Sequence, residues 1–451
     1  MSSNTTPKSL FALPRRQALG LAGAALLPKI ASAQGRQKIT VWTWGGVERF
    51  KGRVEAFQRL YPAEAASVDI EIASPGKNDA EIYQAFRLAL ASGNQLPDLV
   101  QMNYIGLPEF AEAGALADLG ALMKPFDADL VDGARKLSSY NGTTLAVPMQ
   151  MKGKVWFYRC DLFEAAGIDP KAVTTFDDYM AAARRYRDKH PTSSMMNIGR
   201  TPIHWWYFMM LSHWPQTRVA DRNGQFRVLS DPNFATVMDW LKTFRTSGLA
   251  FDTDDFEPAW QPAFAEGAIG GTLLSNWMTD FLPKFAPTQG GRWGLAPWPA
   301  FNRNGSEAGG SVMVIPATAR NKEVAFNFAS RIFLTPQGSI DEWLRTGNPT
   351  ILRSARGEML DRSAAMTRPA GITDAQWAIT PVNFFGKDFL RPILESYEHF
   401  NVFPYDPTAQ AELDIMRRET EAYIAGGKTR EQALQAMQTS MTTRIGNPYR
   451  Q

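Results

Sequence analysis

Strand and helix patterns alternate between residues 38 and 102, and this alternation limits the possible folds more than any other feature of the chain. Lys38-Ile-Thr-Val-Trp-Thr-Trp44 is apolar and β-branched and stops at Gly45-Gly46, the pattern of a buried strand ending in a tight turn. Phe50, Val54, Phe57 and Tyr61 then recur at helical spacing until Pro62, and Val68-Asp-Ile-Glu-Ile72 alternates as a second strand. A second helix is predicted over 78–92, with Ile82, Phe86 and Leu90 on one face. The short strand Leu96-Pro-Asp-Leu-Val-Gln-Met102 follows and ends in Asn103-Tyr104. Strand, helix, strand, helix, strand specifies an α/β lobe with a largely parallel sheet.

Further along, Thr144-Leu-Ala-Val-Pro148 and Lys154-Val-Trp-Phe-Tyr158 read as extended chain. Thr175-Phe-Asp-Asp178 fits a capping box, with Tyr179, Ala182, Ala183 and Tyr186 on the apolar face of the helix it starts. Eight of the thirteen Trp lie between residues 200 and 300. Most are expected to pack in the core, and a few, beside Gly or Asn at the end of an element, to face a ligand.

Residues 1–33 contain no acid, carry Arg15-Arg16 ahead of the apolar run 18–27, and close on Ala31-Ser32-Ala33. This is the layout of a cleaved secretory leader of twin-arginine type, and its apolar run is about half of the roughly 20 residues that span a bilayer. A periplasmic protein beginning near Gln34 is expected. Without Lys8, Arg15, Arg16 and Lys29 the formal charge falls from +3 to −1, so no basic footprint for nucleic acid remains. Cys160 is alone and the four His are scattered, so neither a disulfide nor a metal site is expected, and no cofactor.

Several separated segments together carry a family resemblance. They are Leu96–Asn103 with Phe110-Ala-Glu-Ala-Gly-Ala-Leu-Ala-Asp-Leu119; Ala146-Val-Pro148 with Val155–Ile168 and Thr175–Tyr179; Phe264–Trp277; and Ala308–Pro316 with Asn321–Ala329 and Thr335-Pro-Gln-Gly338. In this order and spacing, over about 300 residues, the chain resembles the carbohydrate-type extracellular solute-binding proteins of ABC importers (family 1, maltose-binding-protein-like). The resemblance implies a two-lobed periplasmic binding protein fold, each lobe a largely parallel sheet flanked by helices, with the ligand in the cleft between. Lobe 1 would hold 36–146 plus 313–352 and lobe 2 would hold 147–312 plus 353–451, with hinge crossings near 148–156 and 309–314. The implied partners are a small-molecule solute, a sugar or polyol, and the permease subunits of an ABC transporter, and a monomer is implied.

A sugar site needs aromatic planes beside paired donors and acceptors. Trp44 and Glu48 follow the first strand, at the sheet end where ligands of open α/β folds settle, although a core plug and a solvated helix start explain them equally. Asn103 and Tyr104 stand where the family places a polar or aromatic contact; the charged pair found there in the maltose-binding protein is missing, which argues against maltose. Trp277 matches the family's stacking Trp, with Asn276 before it. Gln150, Lys152, Trp205, Gly310, Asn383, Phe384 and Arg391 complete the candidates. Gly310, beside Gly309, allows either close backbone approach or a hinge, and Arg391 either an acidic ligand or a pairing with Asp388 or Glu395. The alternatives are an acidic solute such as glycerol phosphate or a sugar acid, and an exported carbohydrate-active enzyme. For the enzyme, the cluster Asp252, Asp254, Asp255 and Glu257 supplies carboxylates, though such a loop also reads as a solvated turn.

Overall fold

Three parallel strands open the chain: β1 (Gln37–Trp42), β2 (Val68–Ala73) and β3 (Leu99–Asn103), in the order β2-β1-β3. The computed structural model describes residues 36–449 apart from 45, 94, 200–202, 299–306, 369 and 399. The leader expected at 1–33 lies outside these. Ile39 and Val41 of β1 are wholly buried, and each contributes about 1.5–3 kcal/mol of burial. The crossovers are the helices Val47–Leu60 and Asp79–Ser92. Asn78 caps the second, its Oδ1 accepting from the Glu81 N–H at 3.0 Å. This is the alternation expected from the sequence, with strand ends shifted by one to three residues.

Next comes a hairpin of β4 (Ser139–Tyr140) and β5 (Thr143–Thr144), joined through Asn141 and Gly142, both with positive φ as an Asn-Gly turn requires. The two extended segments expected at 144–158 are one strand, β6 (Ala146–Arg159). Three strands return from further along the chain to pair antiparallel with it: β7 (Gly271–Ser275), β8 (Trp293–Pro297) and β9 (Glu307–Val314). β9 takes the Ala146–Gly153 half of β6 and also pairs with β3, whereas β7 and β8 take the half from Lys154 onward. The register of β6 on β9 slips between Pro148 and Gln150 and again between Met151 and Gly153, where the strand passes from one set of partners to the other. In the second region parallel pairing is limited, among the described residues, to the single bridges Ser194–Ile269 and Asn197–Phe251.

Behind β6 runs the helix Phe176–Lys189, opened by the expected capping box: Thr175 Oγ1 accepts from the Asp178 N–H at 3.1 Å, and the Asp178 carboxylate accepts from the Thr175 N–H at 3.0 Å. Its Tyr179 packs against Trp156 of β6 with ring centres 5.2 Å apart. Trp206, Trp260, Trp293 and Trp298 are buried, while Trp205 and Trp277 keep part of their surface open.

Candidate functional site

The ends of β1 and β3 and the middles of β6 and β9 meet the segment 254–281 and the helix Ile203–Leu211 around a cavity of about 550 Å³. On the sheet side its wall is a run of hydrogen bonds. Gln150 Nε2 donates to Ser311 Oγ at 3.2 Å, Ser311 Oγ donates to Asn103 Oδ1 at 3.1 Å, and Asn103 Nδ2 donates to Asp79 Oδ2 at 2.6 Å. One side chain from each of β6, β9 and β3 is therefore oriented before any solute arrives. Tyr104 is buried beside them, its ring edge-on to Tyr405 at 5.1 Å and its hydroxyl without a hydrogen-bond partner, an arrangement that costs about 1–3 kcal/mol. Gly310 has no space for a side chain: a Cβ there would lie 2.9 Å from the Gln150 carbonyl oxygen and 3.0 Å from Leu137. Gly309 next to it takes φ +100°, so the glycine pair serves both the close approach and the turn of the strand.

The opposite wall is aromatic and acidic. Trp277 stands two residues after β7 and is the N-cap of the helix Met278–Phe285. Around its indole lie Phe256 (stacked, 5.6 Å), Phe281 (edge-on, 5.4 Å) and Trp260 (tilted, 6.3 Å). Asp254, Asp255, Glu257 and Asp280 also line the cavity from this side. Burial, and then the neighbouring charge of Asp254, push the Asp255 carboxyl up to about 7. Among the described residues no cluster of three or more His, Cys, Asp or Glu is placed to hold a metal ion.

Trp205 reaches the cavity from the first turn of the helix Ile203–Leu211, whose other end is held by a buried lysine. Lys154 Nζ donates to the Met209 carbonyl and, at 3.1 Å, to Ser212 Oγ, and it lies 5.2 Å from the centre of the Trp298 ring. Burial holds its ammonium well below the usual lysine range. An N–H donor against a carbonyl of the last helical turn satisfies a group that the helix itself leaves open, so Lys154 ties the Trp205 helix to β6.

Eight of the thirteen candidates line this cavity: Trp44, Asn103, Tyr104, Gln150, Lys152, Trp205, Trp277 and Gly310. The other five lie elsewhere. Glu48 is exposed in the first turn of its helix, 3.8 Å from Lys51. Asn276 does not line the cavity: it is buried in the turn after β7, where its Nδ2 donates to the Tyr397 hydroxyl at 3.2 Å. Phe384 is wholly buried against Phe385, and Asn383 on the same short helix is exposed. Arg391 is exposed in the first turn of the helix Leu390–Glu398.

Sequence reading missed Arg53, Ser311 and Phe256. Arg53 is a buried member of the helix Val47–Leu60 that lines the cavity while bound to Glu342 at 2.5 Å; an arginine one turn after Phe50 gives no sign of burial. Phe256 did leave a signal, as the one aromatic residue within an acidic stretch.

The comparisons with known proteins fit this geometry. Residues 47–333 match the model of the bacterial extracellular solute-binding protein family. The arabinooligosaccharide-binding protein of Bacillus subtilis (strain 168) is 22% identical over 325 residues, 70% of this chain and 73% of that one. The diacetylchitobiose binding protein DasA of Streptomyces coelicolor is 24% identical over 308 residues, 66% and 70% of the two chains. In fold, the ABC transporter associated binding protein from B. animalis subsp. lactis Bl-04, solved in complex with beta-1,6-galactobiose, superposes with a TM-score of 0.72 at 17% identity, covering 92% of this chain and 99% of that one. With a two-lobed α/β fold, strands that run between its two regions and a cavity where they cross, this chain belongs to the bacterial extracellular solute-binding protein family.

Proposed function

We propose that the protein captures a neutral sugar, an oligosaccharide of a few units, between two closing lobes in the periplasm and delivers it to an ABC transporter permease. The observation that carries this reading is the make-up of the cleft: Trp44, Trp205 and Trp277 line one cavity together with the prearranged amides of Asn103 and Gln150. Indole faces suit the C–H patches of a pyranose or furanose, and fixed amides suit its hydroxyls. The cavity volume falls in the range of small-molecule sites. The named ligands of the relatives, arabinooligosaccharide, diacetylchitobiose and galactobiose, support a short oligosaccharide.

Closure follows from the two walls, since a solute touching both binds the closed form better and shifts the population towards it. We place the lobes at 36–146 plus 313–352 and 147–312 plus 353–451, with β6 and β9 as the crossings. Among the described residues no helix is long and apolar enough to cross a membrane.

An acidic solute fits this cleft poorly. Asp254, Asp255, Glu257 and Asp280 face Lys152 and Arg53, and Arg53 is already held by Glu342. The same carboxylates come from one wall, residues 254–280, rather than from both sides of a bound chain as glycoside hydrolysis requires. A thermal-shift screen against neutral oligosaccharides, polyols, sugar acids and glycerol phosphate tests the reading. A neutral sugar at 100 times its Kd is expected to add about 2.7 kcal/mol and to be recovered unchanged. Stabilisation by acids alone, or turnover of the sugar, would overturn it.

A further inference from the structure

We propose that Phe256 is a built-in occupant of the stacking place on Trp277: its ring lies where a sugar ring would lie, and an incoming solute displaces it. The inference rests on the reading of the cleft as a sugar site. Of the three rings around the Trp277 indole, Trp260 and Phe281 meet it at 46° and 87°, and only Phe256 lies nearly parallel, at 22° and 5.6 Å. A parallel, offset ring at that distance is the geometry of a stacked ligand.

Phe256 holds this position against two costs. It is 57% exposed although large and apolar, and its φ of 66° puts a bulky side chain in the left-handed region. Among the described residues the other non-glycine with positive φ is Asn141, in an Asn-Gly turn where that conformation is ordinary. Phe256 also meets Trp260 at 5.1 Å and Phe281 at 5.6 Å, and the cost of the left-handed region offsets part of what its three ring contacts gain. The net hold of Phe256 on Trp277 is therefore small enough for a stacking solute to compete with it.

The loop is fastened at its base and open at its tip. Buried Asn197 donates through Nδ2 to the carbonyls of Phe251 at 3.2 Å and Thr253 at 2.9 Å, and its Oδ1 accepts from Trp260 Nε1 at 2.9 Å. Gly199 leaves room for the backbone of Asp254, since a Cβ there would lie 2.6 Å from its Cα. Phe256 stands between these anchors, free to leave Trp277 without unfolding the loop. Solutes with an apolar ring face can replace the stack they break, and solutes without one leave Phe256 in place, so this residue sharpens selectivity at the expense of affinity.

The test uses the full chain with 5-fluorotryptophan, the Trp277 resonance being assigned through Trp277→Phe. Phe256→Gly fits the local φ and removes the ring. Without any sugar, it is expected to shift the Trp277 resonance and give it a solvent isotope shift between H2O and D2O. An unmoved resonance would overturn the proposal. In titrations with arabinotriose and β-1,6-galactobiose, Phe256→Gly is expected to bind about three- to tenfold more tightly than wild type, and Phe256→Leu to tighten binding less. Weaker or unchanged binding would make Phe256 a contact or a bystander and would overturn the proposal. Were neither sugar to bind, the sugar reading would fall, and the fluorine result alone would uphold or overturn the covering of Trp277.

Discussion

On the sheet side of the cleft, Asn103 is fixed by Asp79 and Ser311, and Ser311 in turn by Gln150; on the side built from residues 254–281, the Trp277 indole sits among the rings of Phe256, Trp260 and Phe281. Hydrogen bonds are directional, so the first wall has its polar atoms set before binding and pays little ordering cost when a solute arrives. Ring contacts tolerate sliding and tilting, so the second wall supplies contact area and adapts to shape. On the sugar reading proposed above, the difference is a division of labour: one wall would orient hydroxyls, and the other would supply affinity and discriminate by ring face.

The largest effect is expected where the adaptable wall loses its centre. Trp277→Ala should weaken sugar binding at least about 30-fold by calorimetry, through about 2 kcal/mol of lost contact, with the far-UV spectrum unchanged. Unchanged affinity would leave the ring wall without its assigned part. Breaking the fixed wall should cost stability as well as affinity. Asn103→Ala strands the Asp79 carboxylate and the Ser311 hydroxyl, and denaturant titration is expected to show a loss of about 1–3 kcal/mol.

A smaller, pH-dependent effect distinguishes the acidic loop. With its carboxyl at about 7 instead of the ordinary 3.8, Asp255 holds its proton more firmly when folded than when unfolded. The charged form is the penalised one, so the penalty is absent below about pH 4 and grows as pH rises towards 7. Asp255→Asn is expected to gain about 1–2 kcal/mol at pH 8 and nothing at pH 4, read from melting curves at both values. Least of all should follow from Arg391→Ala. Its side chain is exposed and away from the cavity, so affinity for any solute should stay within twofold of wild type by calorimetry, and a selective loss for acids would reopen the acidic reading.

Much of the architecture was legible because periodicity reports burial. The β1 run, the helix over 78–92 and the capping box at Thr175 are local patterns with local causes, and each stands within two residues of where the sequence put it. The pairing of β9 with both β3 and β6 joins residues 154 to 214 positions apart, and no local pattern carries it. The same divide runs through the cleft. Trp44 was placed at the cavity because strand ends mark ligand sites, and Asn103, Tyr104 and Trp277 because their segments resemble known ones. Asn276 lies off the cavity because its turn is fixed by Tyr397, far along the chain, and Arg391 and Phe384 were misassigned because a helix near the end of the chain does not reveal which side faces the cleft. Arg53 stayed hidden because its burial depends on Glu342, far away in sequence.

Whether one solute joins the two walls is tested most directly by small-angle X-ray scattering with and without the best-bound sugar of the screen. The radius of gyration is expected to fall on saturation for the wild type and to stay unchanged for Trp277→Ala in the same sugar. Saturated binding to the wild type with no change in radius would contradict closure of the two walls on a shared ligand.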